Sequence, residues 1–495
     1  MFRQWAMAAV CGASLFVPVS FADVRLPALM SDHMLLQRGT PSRIFGWADP
    51  GEQVTVQYRG QTVAATTGSN GRWSAWLKPM EAASEGADLK ISGKNSIAIS
   101  DVLVGEVWVG SGQSNMQWTV KASNRADQEI SSANYPKMRL FQVTLTSQDT
   151  PREDVKGNWM VCSPESVANF SAVGYFFSRS LHKNMNVPFG FIQSAWGGTP
   201  AQAWTSRKAL HADSSLFPIL GEWNRVLEAY PDASDRFKKQ LAEWEAAGKS
   251  GRRPQPPMGP GHSHTPAGLY NAMIHPLTPY TIKGAIWYQG ETNATKTQAP
   301  LYRRLFETMI LDWRRAWGQG EFPFLFVQLA NFAKTGSPAD WVLVQEAQAK
   351  TLELRNTGMA VINDIGEAGD IHPKNKQDVG ERLALAARHI AYKEQLVYSG
   401  PRFRQATAEG AKIRVWFDSV GGGLKARGGS ELKGFEVAGE DGRFHAADAA
   451  ADGATVVASS PNVTAPVRVR YAWASDPVCN LINAEGLPAS AFRSE

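Results

Sequence analysis

The amino-acid sequence predicts an α/β protein whose three-layer core contains a parallel sheet and is flanked by N-terminal and C-terminal β-sandwich-like regions. Between residues 102 and 397, compact apolar runs alternate with helical patterns, which is typical of parallel strands covered by helices on both faces. Residues 23–101 and 398–495 instead show short alternating runs between turns, as antiparallel strands do. Parallel sheets bind ligands where their strands end, so the functional residues are expected after the apolar runs.

The first 22 residues have the features of a secretory signal peptide. A basic start at Arg3 is followed by an apolar run over residues 6–19, and small residues end at Ala22. The run is too short for a permanent membrane span, which takes roughly 18 or more apolar residues. We therefore expect an exported protein, periplasmic or secreted, that is not held in a membrane.

The N-terminal β region is indicated by the alternating segment QVTVQY and by turn residues at positions 49–51 and 69–71. Within the core, two helices are predicted. One has an apolar residue at every fourth position between residues 305 and 317 and ends at Gly318, and the other begins shortly after His372.

An insertion at about residues 208–266 interrupts the core. It contains a polar helical pattern, DRFKKQLAEWEAAGKS, followed by a segment rich in proline and glycine, and we interpret it as an insertion or lid that borders the site. His262 and His264 have a spacing that could hold a metal ion, but an exposed histidine pair in a loop more often binds none. We therefore predict no metal site.

Composition disfavours one class of partner and leaves the state of the cysteines open. The formal charge of +5 is spread thinly, with no run of Lys or Arg longer than two residues, so nucleic-acid binding is not expected. After removal of the signal peptide, Cys162 and Cys479 remain, and they form either one disulfide or two buried free thiols.

The chain contains 17 Trp residues, and several lie near Gly, Asn or Gln in segments that we interpret as loops. An indole face stacks well on a sugar ring, whereas a core position buries the same side chain in apolar packing. Both interpretations apply to four of them: Trp118, Trp196, Trp204 and Trp287.

Two short motifs place a serine and a histidine at the same edge of the predicted sheet. GQSNM follows the apolar strand EVWVG, so Ser114 lies where that strand ends, and DIHP follows the last core strand, so His372 does the same. A serine hydroxyl is a weak nucleophile until a base takes its proton. We expect His372 to meet Ser114 at this edge, with an acid nearby to orient the imidazole.

Two further segments end at this edge and carry groups that can stabilise an oxyanion. QSAWGGTPAQAW supplies Gly197 and Gly198, whose backbone N–H groups can approach a reacting oxygen closely. WYQGETN supplies Gln289, Glu291 and Asn293. The N–H of Ser114, that of Gly197 or Gly198, and the side-chain amide of Asn293 would provide three donors. A tight turn at the glycines and a turn cap at Asn293 are the structural alternatives.

The motifs and their order resemble the sialate O-acetylesterase and related carbohydrate-acetylesterase branch of the SGNH hydrolase superfamily. The likeness covers nearly the whole chain after the signal peptide, from LPALMSDHMLLQRG through VGSGQSNMQW, SAWGGTPAQAW, LYNAMIHPL, WYQGETNA and DIGEAGDIHPKNKQDVGERLA to NLINAEGLPASAF. The resemblance implies a flavodoxin-like core. It also implies Ser114 as nucleophile, Gly197 or Gly198 and Asn293 as oxyanion donors, and His372 as base.

The acidic residue departs from the pattern of this superfamily. SGNH enzymes usually place it three residues before the histidine, where this chain has Gly369, so Asp370 becomes the expected acid. The alternatives are Asp364, Glu291, Glu367 and a Ser-His dyad without an acid. The GETN spacing also differs from the common GxND, so Gln289 is a candidate to share or replace the role of Asn293.

The resemblance implies a carbohydrate O-acetylesterase that acts through an acetyl-serine intermediate without a metal or organic cofactor. The substrate is expected to be O-acetylated sialic acid or an acetylated plant hemicellulose such as xylan or xyloglucan, and the sequence does not decide between them. Substrate contacts are expected from Gln113, Asn115, Trp196, Trp204, Trp287 and Glu291. The alternative functions are a noncatalytic carbohydrate-binding protein on the same fold and a general esterase or lipase. The oligomeric state is left open.

Overall fold

The N-terminal region consists mainly of antiparallel strands in two sheets. The computed structural model describes residues 23–494, and the predicted signal peptide lies outside this range. The strands are β1 (Leu35–Gln37), β2 (Ser42–Trp47), β3 (Gln53–Tyr58), β4 (Gln61–Thr66), β5 (Arg72–Leu77) and β6 (Ala83–Ser92). β2 pairs with β5, whereas β3 lies between β4 and β6. In β3 the side chains alternate between buried and less buried positions, which confirms the pattern of QVTVQY.

One long strand, β7 (Ser96–Gly112), belongs both to this region and to the core. Its first part pairs with β1 and β6, and its last seven residues, from Glu106 onward, lie inside the core sheet. Every residue of β7 from Val102 to its end is buried. The division predicted between residues 101 and 102 therefore falls within a continuous strand.

The core sheet is parallel apart from one edge strand. Its other strands are β8 (Tyr135–Gln142), β9 (Trp159–Cys162), β10 (Phe189–Ala195), β11 (Gly284–Tyr288), β12 (Phe324–Val327) and β13 (Thr357–Ala360). Their spatial order is β13-β12-β11-β7-β10-β8-β9, with β9 antiparallel to β8. The connection from β7 leads to β8 on one side, whereas the connection from the adjacent strand β11 leads to β12 on the other side. The connections therefore diverge between β7 and β11, and ligands bind at such a position in open α/β sheets. The prediction of an α/β protein with a parallel sheet is confirmed.

Helices cover both faces of this sheet. They are α1 (Ser114–Gln117), α2 (Ala126–Ser131), α3 (Pro164–Val167), α4 (Ala172–Met185), α5 (Arg207–His211), α6 (Phe217–Ala246), α7 (Tyr302–Trp317), α8 (Pro338–Lys350) and α9 (Lys376–Ile390). In β11, Ile286 belongs to the core formed with α4 and α9, whereas Ala285 and Trp287 belong to the core formed with α7. Both helices predicted from periodicity are present, and α7 ends at Gly318 with a φ of 66°, as expected.

The insertion forms a long helix and a segment that returns along it. α6 extends over 30 residues, of which Ile219 alone is fully buried. On the returning segment, the carbonyl of Gly251 accepts a hydrogen bond from the Trp244 indole at 3.3 Å, and Gly259 packs against the ring of Tyr230. The helix begins at Phe217, well before the polar pattern from which it was predicted.

The C-terminal region is again built from strands, as predicted. They are β14 (Arg402–Glu409), β15 (Lys412–Asp418), β16 (Leu424–Ala426), β17 (Phe435–Ala438), β18 (His445–Ala446), β19 (Asp448–Asp452), β20 (Thr455–Ser459), β21 (Arg468–Tyr471), β22 (Leu481–Asn483) and β23 (Phe492–Arg493). Two four-stranded sheets, β14-β15-β20-β19 and β18-β17-β21-β23, share one hydrophobic core. Across residues 23–494, no helix combines the length and the apolar character needed to cross a membrane.

Candidate active site

Ser114 lies at the carboxyl end of the central strand, at the first position of α1. The turn before it requires a glycine at Gly112, which has a φ of 138° and where a Cβ would lie 2.1 Å from the carbonyl oxygen of Tyr288. Gln113 fixes this turn, because its backbone N–H donates to the same carbonyl at 3.0 Å. The strand and the turn therefore hold the Ser114 side chain at the edge of the sheet.

His372 brings an imidazole to this serine from the loop that follows β13. Its Nε2 atom lies 2.8 Å from Ser114 Oγ, within reach for proton transfer. The ring stacks on Trp118 at a centroid distance of 4.7 Å, which fixes its plane. Burial lowers the pKa of His372, and the nearby charge of Lys376 lowers that pKa further. Both effects favour the neutral imidazole that a general base needs.

Asp370 is close to the histidine without forming the hydrogen bond of a complete triad. Its Oδ1 atom lies 3.7 Å from His372 Nδ1, and the same oxygen accepts the backbone N–H of His372 at 2.9 Å. The carboxylate nevertheless raises the pKa of His372 and so stabilises the imidazolium. Two of the alternative acids have other partners: Asp364 accepts from Arg382 at 2.6 Å, and Glu367 accepts the backbone N–H of Lys374 at 2.8 Å.

Gly197 packs directly against the serine. A Cβ at this position would lie 3.4 Å from the Cβ of Ser114. Its N–H donates to the side-chain oxygen of Gln117 at 2.8 Å, a partner that the sequence did not indicate. Gly198 has a φ of +72° with open space around it, and its carbonyl accepts from the ring of His264 at 2.7 Å.

Asn293 and Gln289 are held in a buried amide network rather than turned toward the serine. Both are fully buried. The two hydrogens of the Asn293 amide are donated to the side chains of Gln202 and Gln298, each at 2.9 Å. Those of Gln289 go to the Thr199 carbonyl at 3.2 Å and to Asn293 Oδ1 at 2.6 Å. Unlike Gly197, which is partly exposed, neither side chain has exposed surface or a free amide hydrogen, so the described geometry does not support the oxyanion role expected for Asn293 and Gln289.

The polar residues next to Ser114 also differ from the expected substrate contacts. Gln113 and Asn115 are buried, so they support the segments of the site and have almost no surface for contact with a substrate. Asn115 donates to Glu291 at 2.6 Å and to the carbonyl of Ile371 at 3.0 Å, and it accepts from Lys376 at 2.6 Å. Lys376 is the functional candidate that the sequence did not indicate, because the position of a lysine on a helix does not reveal its burial.

The tryptophans divide into core and site residues. Trp204 and Trp287 have no exposed surface, so neither can stack on a sugar ring. Their rings contact each other edge to face, with the ring centroids 6.2 Å apart. This corrects the expectation of a substrate contact and favours the alternative of core packing. Trp196 is partly buried against the core. Trp118 lies within the site, against His372.

Proteins of known function resemble this chain in sequence and in structure. The sialate O-acetylesterase of Rattus norvegicus is 32% identical over 428 residues, which cover 76% of this chain and 75% of the rat protein. The Homo sapiens sialate O-acetylesterase is 30% identical over 419 residues, which cover 76% of this chain and 73% of that protein. The chain belongs to the sialate O-acetylesterase family.

Two further matches agree with this assignment. A carbohydrate acetylesterase from Xanthomonas citri has a structure with a TM-score of 0.82 and 39% identity, covering 96% of this chain and all of that one. The family described as carbohydrate esterase, sialic acid-specific acetylesterase matches residues 258–389. That segment contains His372 and Asp370, whereas Ser114 and Gly197 precede it. As a member of the sialate O-acetylesterase family, the chain is a carboxylic ester hydrolase, which argues against the noncatalytic alternative.

The remaining residues considered from the sequence have defined surroundings in this sialate O-acetylesterase family member. Cys162 and Cys479 are both free thiols, which decides against a disulfide. The ring of His262 accepts the backbone N–H of His264 at 3.1 Å. His264 in turn connects the end of the insertion to the glycine turn through its hydrogen bond to Gly198. The insertion therefore contacts the edge of the site.

A cleft of about 430 Å³ adjoins the site, because Glu291 and Ile371 form part of its wall. The rest of the wall combines an accessible aromatic ring, hydroxyl groups, two lysines and one carboxylate, including Phe332, Thr295, Lys296, Lys334 and Asp340. An aromatic face and several hydrogen-bonding groups are the features that sugar rings bind.

Proposed function

We propose that this chain is a carbohydrate O-acetylesterase with an SGNH-type core, which hydrolyses acetyl esters of sugars through an acetyl-Ser114 intermediate. The observation that carries the proposal is the 2.8 Å distance between Ser114 Oγ and His372 Nε2 at the carboxyl edge of the parallel sheet. A serine paired in this way with a neutral imidazole is an activated nucleophile.

The reaction takes place in two halves. Ser114 Oγ attacks the acetyl carbonyl while His372 Nε2 takes the hydroxyl proton, and collapse of the tetrahedral intermediate returns that proton to the departing sugar oxygen. Water then attacks the acetyl-enzyme, again giving a proton to His372, and acetate leaves as Ser114 recovers its hydrogen. Asp370, 3.7 Å from Nδ1, stabilises the imidazolium through its charge.

Two backbone N–H groups are proposed to stabilise the oxyanion. The N–H of Ser114 belongs to the first turn of α1, where backbone donors have no partner within the helix. The N–H of Gly197 would exchange the Gln117 side chain for the substrate oxygen. Donors of this kind are worth about 3–4 kcal/mol each in the transition state.

The leaving sugar is proposed to occupy the cleft beside Glu291 and Ile371. O-acetylated sialic acid is one candidate substrate, and the ammonium groups of Lys296 and Lys334 in the cleft wall suit its carboxylate. An acetylated hemicellulose such as xylan or xyloglucan is the other, and the aromatic and hydroxyl groups of the same wall suit a neutral chain. The signal peptide predicted at residues 1–22 would place the reaction outside the cytoplasm.

The test is acetate release by the purified mature chain on acetylated sialic acid, acetylated xylan, acetylated xyloglucan oligosaccharides and 4-nitrophenyl acetate. We expect release from at least one sugar, its loss in Ser114→Ala, and an acetyl group on Ser114 when a slow ester is trapped and analysed by mass spectrometry. Ser131→Ala, which alters an exposed serine on α2, is the matched control. Turnover that survives Ser114→Ala would refute the nucleophile, and the absence of acetate release on all four esters would refute the activity.

A further inference from the structure

A buried lysine lies directly behind the proposed catalytic pair. Lys376 is the first residue of α9 and has no exposed surface, which is rare for a lysine without a specific partner. Its Nζ atom donates to Asn115 Oδ1 at 2.6 Å. The ammonium also lies 5.8 Å from the ring centroid of Trp118 and 5.5 Å from that of Tyr288, so aromatic faces surround it.

Asn115 connects this lysine to both catalytic segments. The residue follows Ser114 in α1, and its amide donates to the carbonyl of Ile371, the residue before His372, at 3.0 Å. The second amide hydrogen goes to Glu291 Oε1 at 2.6 Å. Through these three hydrogen bonds, the side chain holds together helix α1, the turn after β11 and the loop that carries His372, residues 361–375, which we call the base loop.

Glu291 supplies the opposite charge. Its Oε2 atom is buried and, among residues 23–494, has no hydrogen-bond partner, so the carboxylate is stabilised by Asn115, by the backbone N–H groups of its own turn and by the nearby ammonium. Burial raises the pKa of Glu291 and lowers the pKa of Lys376 to about 7, and the charge of each opposes the shift of the other.

We propose that Lys376 is a positioning residue that, with Glu291 and through Asn115, fixes Ser114 against the base loop, and that its charge sets the pH range in which His372 acts as a base. This inference rests on the proposed function for its catalytic consequence, but the electrostatic effect on His372 exists without turnover. Lys376 and Glu291 themselves touch neither Ser114 Oγ nor the imidazole through any hydrogen bond in the described chain.

The sign of the effect follows from the charges that face each group. His372 is faced by Lys376 from α9 and by Asp370 from its own loop, and its ring lies on uncharged Trp118. Lys376 is faced by Glu291 from the turn after β11, and by Glu367 and Asp370 from the base loop. A cation disfavours protonation of a neighbouring imidazole, so removing the Lys376 charge raises the pKa of His372.

The experiment compares pH profiles of kcat/KM for 4-nitrophenyl acetate in the wild-type mature chain, Lys376→Met, Lys376→Arg and the exposed-lysine control Lys121→Met. In each profile, the acid limb is the range in which kcat/KM falls as the pH decreases. For Lys376→Met we expect this limb to move to higher pH by about half a unit or more. Lys376→Arg, which keeps the charge, should restore most of the wild-type position, and Lys121→Met should not move the limb. A lower kcat in Lys376→Met with an unmoved acid limb would overturn the proposal, because it would mean a structural role alone.

A second readout separates this proposal from the activity itself. NMR of ring-labelled histidine follows the titration of His372 in each variant, with His372→Gln identifying its signal. If the wild type hydrolyses no ester, the proposed function fails, and a raised His372 pKa in Lys376→Met still supports the charge effect, whereas an unchanged one refutes it. If Lys376→Met does not fold, Lys376→Met/Glu291→Gln avoids leaving a buried carboxylate without its counter-charge. The pKa of His372 should still rise in this variant, because the charges that act on the ring are those of Lys376 and Asp370.

Discussion

His372 Nε2 and Ser114 Oγ are 2.8 Å apart although the two residues are separated by 258 positions in the sequence. Ser114 follows the central strand β7, whereas His372 follows β13 at the edge of the sheet, with β11 and β12 between them. The base loop must therefore reach across two strands. Asn115 holds the far end of this loop in place: its side-chain oxygen accepts a hydrogen bond from Lys376, and its amide donates one to the carbonyl of Ile371.

Asp370→Asn should lower kcat by roughly tenfold or less, far below the loss of about 10⁴ seen when the acid of a complete triad is removed. The reason is the 3.7 Å separation from His372 Nδ1. Because Asp370 raises the pKa of His372, its removal should also move the acid limb of kcat/KM to lower pH. Steady-state kinetics across pH test both points, and a loss near 10⁴ would mean that the carboxylate bonds to Nδ1 during turnover.

Asn293→Ala should reduce stability more than catalysis. The substitution removes the donor to Gln202 Oε1 and one of the two acceptors of the Gln289 amide, both buried, at a cost of about 1–3 kcal/mol in the free energy of unfolding. Chemical denaturation and kcat on one sample provide the comparison. The contrary result, an intact fold with kcat reduced by about 10² or more, would restore Asn293 to the oxyanion hole.

Gly197→Ala and Gly198→Ala form a matched pair with opposite expectations. A Cβ on Gly197 would lie 3.2 Å from Gln117 Oε1 and 3.4 Å from Ser114 Cβ, so it would crowd the proposed nucleophile and should lower kcat. Gly198 has open space but a φ of +72°, so alanine there should cost about 1–2 kcal/mol of stability while kcat changes little. Equal kcat losses in both variants would contradict the assignment of the oxyanion donor to Gly197.

The two thiols should react slowly in the native protein. Burial raises the pKa of Cys162 to about 12 and that of Cys479 to about 11, so little thiolate forms near neutral pH. We expect slow alkylation by iodoacetamide until the chain is denatured, when both cysteines react. A reductant should leave the melting temperature unchanged, and a drop would reveal a disulfide.

Sequence patterns were sufficient for the residues whose position depends on strand ends. Ser114, Gly197 and His372 each follow a compact apolar run, and parallel strands bring such ends to one edge, so their meeting could be predicted. The long helix α7 was equally predictable because its apolar residues repeat at helical spacing.

Burial of single side chains was not predictable in the same way. Trp287 lies inside β11, a strand covered on both faces, and such a strand has no polar alternation to distinguish an inner from an outer residue. The burial of Lys376 depends on three segments that meet only in the folded chain. The same holds for Asn293. Its amide partner Gln202 lies 91 positions away in the sequence, and its other partner, Gln298, lies five residues further along the chain.

The sharing of β7 between two sheets constrains how this protein could have been assembled in evolution. A binding module on a linker can be gained, lost or exchanged without disturbing the enzyme beside it. Here the strand that ends beside Ser114 begins as the pairing partner of β6. Replacement of the N-terminal sheet would therefore also alter the strand that leads to the serine. Relatives with this architecture are therefore expected to inherit both regions as one unit.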